Sequence, residues 1–185
     1  IMASELGVQM IQHTNGTDAL TIGTGGIISQ SAPVGFSVSI RDGSNQVVAN
    51  ATYEILECTY ESSNTRHFDT HSGWSNSNHY YTVPTGCGGY WMLHTWVELS
   101  AIPTQAHLVI SKTASAGSSS NFIGRISLAN NTTATPNPGL YFNTIANLSD
   151  GDIVKAEIYH NYGANVNALE IGSYLRCAMQ GWRLG

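Results

Sequence analysis

The ten residues YWMLHTWVEL, from Tyr90 to Leu99, alternate in a way that restricts the fold more than any other stretch of the chain. As a β-strand, they direct one set of side chains toward a core: Trp91, Leu93, Thr95, Val97 and Leu99. The opposite face carries Tyr90, Met92, His94, Trp96 and Glu98. A strand of an antiparallel sheet usually turns polar side chains toward water. This second face is too apolar for that, so the sequence predicts that another segment or another subunit covers it.

The rest of the sequence has the pattern of an all-β protein. No segment keeps a period of 3.6 residues, whereas short alternating or β-branched runs recur between Gly, Asn, Ser and Pro. The count and spacing of these runs predict about ten strands in two stacked antiparallel sheets. The candidate strands are 35–41, 46–58, 65–70, 79–83, 90–99, 106–112, 121–128, 140–147, 152–160 and 170–182. The segments 113–120 and 130–139 are predicted loops.

The first 34 residues differ from the remainder. Their apolar runs, such as Ala19–Ile22, are too short for an independent core and are separated by the turns NGTD and GTGG. We therefore expect residues 1–34 to form a short extended arm that becomes ordered against a partner or against its own copies. Residues 35–185 form the predicted globular head.

Charged residues make up 10% of the chain, against a usual share of about 25%. Such a polar but uncharged surface suits a protein that works in an assembly or outside a cell. With seven Lys and Arg residues and a net charge of −5, the sequence has no basic patch, which argues against nucleic-acid binding. It also lacks an apolar run of about 18 residues and the pattern of a signal peptide, so we expect no membrane insertion.

The sequence gives little support for catalysis. There is no Gly-x-Ser-x-Gly elbow, the acidic residues are scattered, and no phosphate-binding loop is present. The cysteines Cys58, Cys87 and Cys177 are interpreted as buried free thiols, although one disulfide is possible. We expect neither an enzyme nor a cofactor.

Two motifs raise the question of metal binding. In RHFDTH the side chains of His67, Asp69 and His71 alternate and would share one strand face, but no fourth ligand is visible, so a polar strand face is the better interpretation. The motif SDGD, 149–152, lacks the other acidic ligands of a calcium loop and is interpreted as a turn. No metal site is predicted.

The segment THSGWSNSNHYY, 70–81, mixes aromatic side chains with small polar ones, as adaptable binding surfaces do. It is predicted to be an exposed loop that binds a ligand through Trp74, His79 and Tyr80. The ring of Trp74 would suit stacking on a sugar, which makes a host-surface glycan the candidate ligand. The alternative is that Trp74 packs down on the sandwich, and the sequence does not decide between the two.

Several segments together resemble the globular head of the complement and tumour-necrosis-factor superfamily. They are VGFSVSI, RHFDTHSGW, YYTVPTGCGGYWML, LSDGDIVKAEIYHNYG and SYLRCAMQGWRL, and they extend the resemblance over residues 34 to 185. The resemblance implies an all-β jelly roll that assembles as a homotrimer. It explains the second apolar face, which would form the trimer interface through Tyr90, Met92, His94 and Trp96.

The opening residues MASELGVQMI, 2–11, resemble the start of virion structural and tail-fibre proteins of tailed phages. Their resemblance implies a location in the virion, on the tail or the capsid surface, with the arm attached to other virion proteins. The predicted function is a trimeric short tail fibre or receptor-binding head that recognises a host-surface glycan. Two alternatives remain open at this point, a trimeric capsid decoration protein and an extracellular complement-like adhesion or signalling head.

Overall fold

A computed structural model describes residues 10–12, 18–22, 28–30, 33–40, 44–114, 121–129, 137–170 and 177–184. Regular structure in these residues consists of β-strands. Among them there is no helix long and apolar enough to cross a membrane. The chain divides into two compact units, residues 1–33 and residues 34–185.

The described residues of the first unit form three short strands. They are β1 (Met10–Gln12), β2 (Asp18–Ile22) and β3 (Ile28–Gln30), and they form an antiparallel sheet in the order β1-β2-β3. A register irregularity separates Ile11 from Gln12. The short strand expected near Ala19 is therefore part of a small sheet, while the proposed role of residues 1–34 as an attachment arm stays a prediction.

The second unit contains the remaining strands: β4 (Gly35–Ile40), β5 (Gln46–Val48), β6 (Glu54–Ile55), β7 (Cys58–Thr59), β8 (Phe68–Asp69), β9 (Trp74–Ser75), β10 (Tyr80–Thr82), β11 (Gly89–Glu98), β12 (Gln105–Ala114), β13 (Asn121–Ala129), β14 (Gly139–Leu148), β15 (Asp152–His160), β16 (Val166–Ala168) and β17 (Ala178–Arg183). One six-stranded sheet has the order β14-β11-β17-β4-β7, with β8 also paired to β4. The other has the order β13-β12-β15-β10-β9, with β6 paired to β15. Strands β5 and β16 make a separate two-stranded ribbon. The predicted all-β sandwich of two antiparallel sheets is confirmed.

Three predicted strands are wrong in their extent. The candidate 65–70 contains only the two-residue strand β8, with turns on either side of it. The candidate 46–58 is broken into β5, β6 and β7, because the backbone turns after Val48 and Ala51 adopts a left-handed conformation with φ of 57°. The last candidate, 170–182, contains the strand only from Ala178 onward, and residues 171–176 lie outside the described part of the chain. Of the loops predicted at 113–120 and 130–139, residues 115–120 and 130–136 also lie outside it. At the edges the prediction is wrong, because Thr113 and Ala114 belong to β12 and Gly139 begins β14.

The core lies between the two sheets and is centred on aromatic side chains. Trp91 is fully buried, and its indole N–H donates to the carbonyl of Cys87 at 3.1 Å. The buried rings of Phe36 and Tyr81 stack with their centroids 4.2 Å apart. The predicted inner face of β11 is confirmed, since its side chains are all buried: Trp91, Leu93, Thr95, Val97 and Leu99. The three cysteines are buried free thiols, as predicted.

The SDGD motif is a turn, as predicted, and it connects two ends of the sandwich. Gly151 takes a left-handed conformation with φ of 80°, which glycine adopts without strain. The carboxylate of Asp150 accepts hydrogen bonds from the backbone N–H groups of Gly86 and Gly88, both at 2.7 Å. These bonds, from Gly86 first and then Gly88, lower the pKa of Asp150. Asp150 therefore joins the turn before β15 to the turn before β11.

We expect Asp150→Asn to lower the melting temperature at neutral pH, because the amide offers one oxygen in place of two and no charge. A carboxyl group with a depressed pKa stabilises the fold above its unfolded value of 3.8, and that contribution is lost as pH falls through the folded pKa. The difference in melting temperature between wild type and variant should therefore narrow below pH 3.8. Thermal unfolding from pH 2 to pH 8 measures it, with the exposed Glu57→Gln as the control. If the difference in melting temperature stayed constant down to pH 2, the ionised carboxylate of Asp150 would not be the source of the stabilisation.

Candidate functional site

The outward side of β11 carries the four residues predicted to form an interface. The side chains of Tyr90 and Met92 are 59% and 38% exposed, and those of His94 and Trp96 are half-buried. All four stand on the same side of the strand, opposite the core residues. The two-sided apolar character of β11 is therefore present in the structure.

The neighbouring strand β14 enlarges this surface. Its residues Tyr141 and Ile145 are 72% and 63% exposed. The register pairs Trp96 with Tyr141 and Met92 with Ile145, so that these side chains lie on the same side of the sheet. We call this surface the outer apolar face: Tyr90, Met92, His94, Trp96, Tyr141 and Ile145. The sequence analysis missed the two β14 residues, although the alternation in GLYFNTIANL would have revealed them once β11 and β14 were paired.

A shallow depression lies at one end of the outer apolar face. Its volume is about 340 Å³, and its lining includes His94, Trp96, Leu140 and Tyr141. The rings of His94 and Trp96 lie 5.0 Å apart. Burial lowers the pKa of His94, because the charged imidazolium loses more hydration energy than the neutral ring does when water is excluded. The outer apolar face therefore suits contact with another uncharged surface from which water is excluded.

The other half of the same sheet is covered by the chain itself. His67 is buried and its Nε2 lies 2.8 Å from the Ser39 hydroxyl. Ser37 accepts a hydrogen bond from the Gln180 amide at 3.0 Å, and the Phe68 ring lies 6.2 Å from that of Trp182. The exposures of Tyr90 and Met92 show no equivalent cover over β11. Of the alternatives posed by the sequence, cover by a loop of the same subunit is absent from the described part of the second unit.

The three candidate metal ligands of RHFDTH, His67, Asp69 and His71, each contact different partners in the structure. His67 Nδ1 accepts a hydrogen bond from the Glu61 N–H at 3.1 Å. The Asp69 carboxylate accepts from the backbone N–H groups of Gly73 and Trp74, at 3.1 and 2.8 Å. His71 is exposed, with its Nδ1 2.9 Å from the Thr70 hydroxyl. Within the described ranges no group of three such side chains could hold a metal ion.

The segment 70–81 is a hairpin rather than a free loop, because β9 pairs with β10. The half-buried ring of Trp74 packs on the core with its centroid 5.5 Å from that of Phe36, and its indole N–H is buried. Of the two alternatives for Trp74, packing on the sandwich is the one the structure shows. Tyr80 is half-buried beside Ser75, and His79 lines a polar cleft. A ligand-binding role for these three residues stays a prediction.

Comparison with solved structures places this architecture among known folds. Murine APRIL superimposes with a TM-score of 0.57 over 81% of this chain and 98% of its own, at 11% sequence identity. Eiger TNF from S. frugiperda gives a TM-score of 0.57 over 83% of this chain and 94% of its own, at 8% identity. The fold is a TNF-like jelly roll. No family model matches the sequence, and no curated protein matches it. At these identities the comparison establishes the fold and leaves the function to be argued from the surface.

We expect Trp74→Ala to lower the free energy of unfolding by about 2 kcal/mol, roughly half the cost of truncating a fully buried Trp. The reason is that half of the ring is already in contact with the core beside Phe36. Urea unfolding measures the change, and His71→Ala, an exposed position in the same segment, is the control. A Trp74→Ala variant as stable as the wild type would mean that the ring is free to leave the core and bind a ligand.

Proposed function

We propose that the chain is a homotrimeric TNF-like head that binds another molecule and catalyses no reaction. The observation that supports assembly is the outer apolar face on β11 and β14. Exposed apolar clusters of this kind on a soluble domain mark interaction surfaces. The resemblance to the complement and tumour-necrosis-factor superfamily implies a trimer interface at the β11 residues of this face.

The energetics favour a stable interface. Full burial of a large apolar side chain contributes about 1.5–3 kcal/mol, so covering the exposed part of Tyr141 or Ile145 is worth about 1–2 kcal/mol for each side chain. A three-fold assembly repeats each of these gains in every subunit. The half-buried, neutral His94 adds no charge that would need to be dehydrated.

The cysteines support a binding role over catalysis. Burial is the main cause that raises the pKa of Cys177 to about 12 and the pKa of Cys58 well above its ordinary value. A thiol of this kind is not ionised at neutral pH and is a poor nucleophile. His67 lies 2.8 Å from the Ser39 hydroxyl, but both residues are buried, and the Nδ1 of His67 accepts from the Glu61 N–H where an acyl-transfer triad would have it donate to a carboxylate.

Within this class, a receptor-binding head of a tailed-phage short tail fibre is our leading candidate. It is supported by the resemblance of residues 2–11 to virion structural proteins and by the polar hairpin 70–81, which offers groups for a host-surface glycan. The shared fold with murine APRIL and Eiger TNF favours a second candidate, an extracellular adhesion or signalling head. No observation in the structure specifically supports the third candidate, a capsid decoration trimer.

Light scattering should give a mass three times the 19.8 kDa of one chain, since the outer apolar face needs a partner. Met92→Glu should weaken assembly at least tenfold, because a carboxylate would have to be dehydrated in the centre of the interface. Tyr162→Glu, exposed but outside the outer apolar face, serves as the matched control. A wild-type monomer at micromolar concentration, or a Met92→Glu trimer of unchanged stability, would refute the proposed interface.

The finer assignment is tested by locating the protein in purified phage particles with a gold-labelled antibody. Label on the tail supports the receptor-binding fibre. Label on the head would replace it with the decoration protein, and particles without label would favour the extracellular candidate.

A further inference from the structure

Two polar cavities adjoin at the end of the sandwich where β5, β6, β7 and the turn before β10 meet. Their volumes are about 310 and 440 Å³, and both are lined by Gln46, Glu57 and His79. Thr59 and Asn45 line the first, and Asn78 lines the second. We call the two together the polar cleft. Its size is in the range of small-molecule sites, which begins near 300 Å³.

The polar cleft holds hydrogen-bonding groups that the fold itself does not use. The Glu57 carboxylate is exposed and makes no hydrogen bond or ion pair within the described ranges. The Thr59 hydroxyl has no hydrogen-bond partner there either. By contrast, both ends of the Gln46 amide are occupied, by the carbonyl of Ile55 and the N–H of Glu57. The Thr59 hydroxyl is buried, however, and Gln46 is occupied, so the exposed Glu57 carboxylate is the group that remains available to a ligand.

His79 is held in a fixed orientation in the polar cleft. Its Nδ1 lies 2.9 Å from the Cys58 carbonyl, which can only accept, so that Nδ1 carries the proton and Nε2 is left as an acceptor in the neutral ring. The residue has a left-handed backbone with φ of 55°, a conformation uncommon outside glycine. Residues held in such conformations are found preferentially at functional sites.

The charge of the lining selects the chemistry of the ligand. Among the described residues that line the two cavities, Glu54 and Glu57 contribute carboxylates and none is Lys or Arg. The free groups are therefore mostly acceptors, and they suit a ligand that offers several donors. An acidic ligand would be repelled by these two carboxylates, which costs binding energy.

We propose that the polar cleft binds a saccharide whose donors include an ammonium group, such as an amino sugar, with Glu57 receiving the ammonium and His79 Nε2 accepting from a hydroxyl. This inference rests on the proposed function, because it names the class of glycan that the trimeric head recognises. It moves the binding site from Trp74 to the polar cleft, whose lining includes His79, one of the three residues predicted to bind a ligand.

Isothermal titration of the 185-residue chain with three oligosaccharides tests the inference. The probes are oligomers of glucosamine, of N-acetylglucosamine and of a hexuronic acid. Glucosamine oligomers should bind, N-acetylglucosamine oligomers should bind at least tenfold more weakly, and hexuronate oligomers should not bind measurably. Equal affinity for glucosamine and hexuronate oligomers would overturn the charge argument.

Two variants and one control connect the binding to the polar cleft. Glu57→Gln should weaken glucosamine binding at least tenfold while changing N-acetylglucosamine binding less. His79→Asn, in which Asn tolerates the left-handed backbone, should weaken binding of both. His71→Ala, an exposed histidine on the same hairpin segment, should change neither. If neither Glu57→Gln nor His79→Asn changed glucosamine binding, the polar cleft would not be the binding site. If the protein bound a lysine-rich peptide and none of the saccharides, the proposed ligand class would be wrong.

The mass of each sample, measured by light scattering before titration, separates this inference from the proposed function. A wild-type trimer that binds no saccharide overturns the inference alone. A monomer that binds glucosamine oligomers supports the polar cleft and refutes the trimer. Unchanged melting temperatures of the variants show that any loss of binding comes from the cleft and not from unfolding.

Discussion

Strand β11 is the element on which the rest of the structure depends. Its inner side chains are fully buried under the second sheet, with Trp91 and Leu93 inaccessible to water. Because side chains alternate along a strand, committing this face to the core forces Tyr90, Met92 and Trp96 to the opposite side. The apolar surface is thus a direct consequence of how β11 enters the core, and β14 extends it through the paired residues Tyr141 and Ile145.

The sequence predicts the sandwich well where strands are long and alternate. The strands β11, β12, β14 and β15 were expected within two residues of their actual ends, since alternation over nine or ten residues is a strong local signal. The short strands of 46–59 were not separable, because their breaks depend on tertiary contacts. The backbone N–H of Ala51, for instance, donates to the distant carbonyl of His160 at 2.8 Å.

The binding surface was harder to predict than the fold. The sequence leaves open whether Trp74 is exposed for a ligand or packs on the sandwich, and it is the pairing of β9 with β10 that brings its ring against Phe36. The polar cleft is assembled from segments around Gln46, Glu57 and His79, which are separated by up to 33 residues and approach only when the short strands form. No local motif marks such a site, whereas the β11 part of the outer apolar face follows from the alternation of one strand.

The two surfaces lie on different parts of the sheet, and this arrangement has a consequence for affinity. In the order β14-β11-β17-β4-β7, the outer apolar face occupies β14 and β11, while the polar cleft borders β4 and β7 through Ile40 and Thr59. With strands about 4.8 Å apart, β7 is about 14 Å from β11. Assembly through β11 and β14 would therefore leave the cleft of each subunit open.

A trimer would then present three clefts to a repeating glycan. Linked sites of this kind can raise the overall affinity by two to four orders of magnitude without any new contact, provided that the glycan spans them. Low affinity for a single saccharide would thus be compatible with firm attachment to a cell surface.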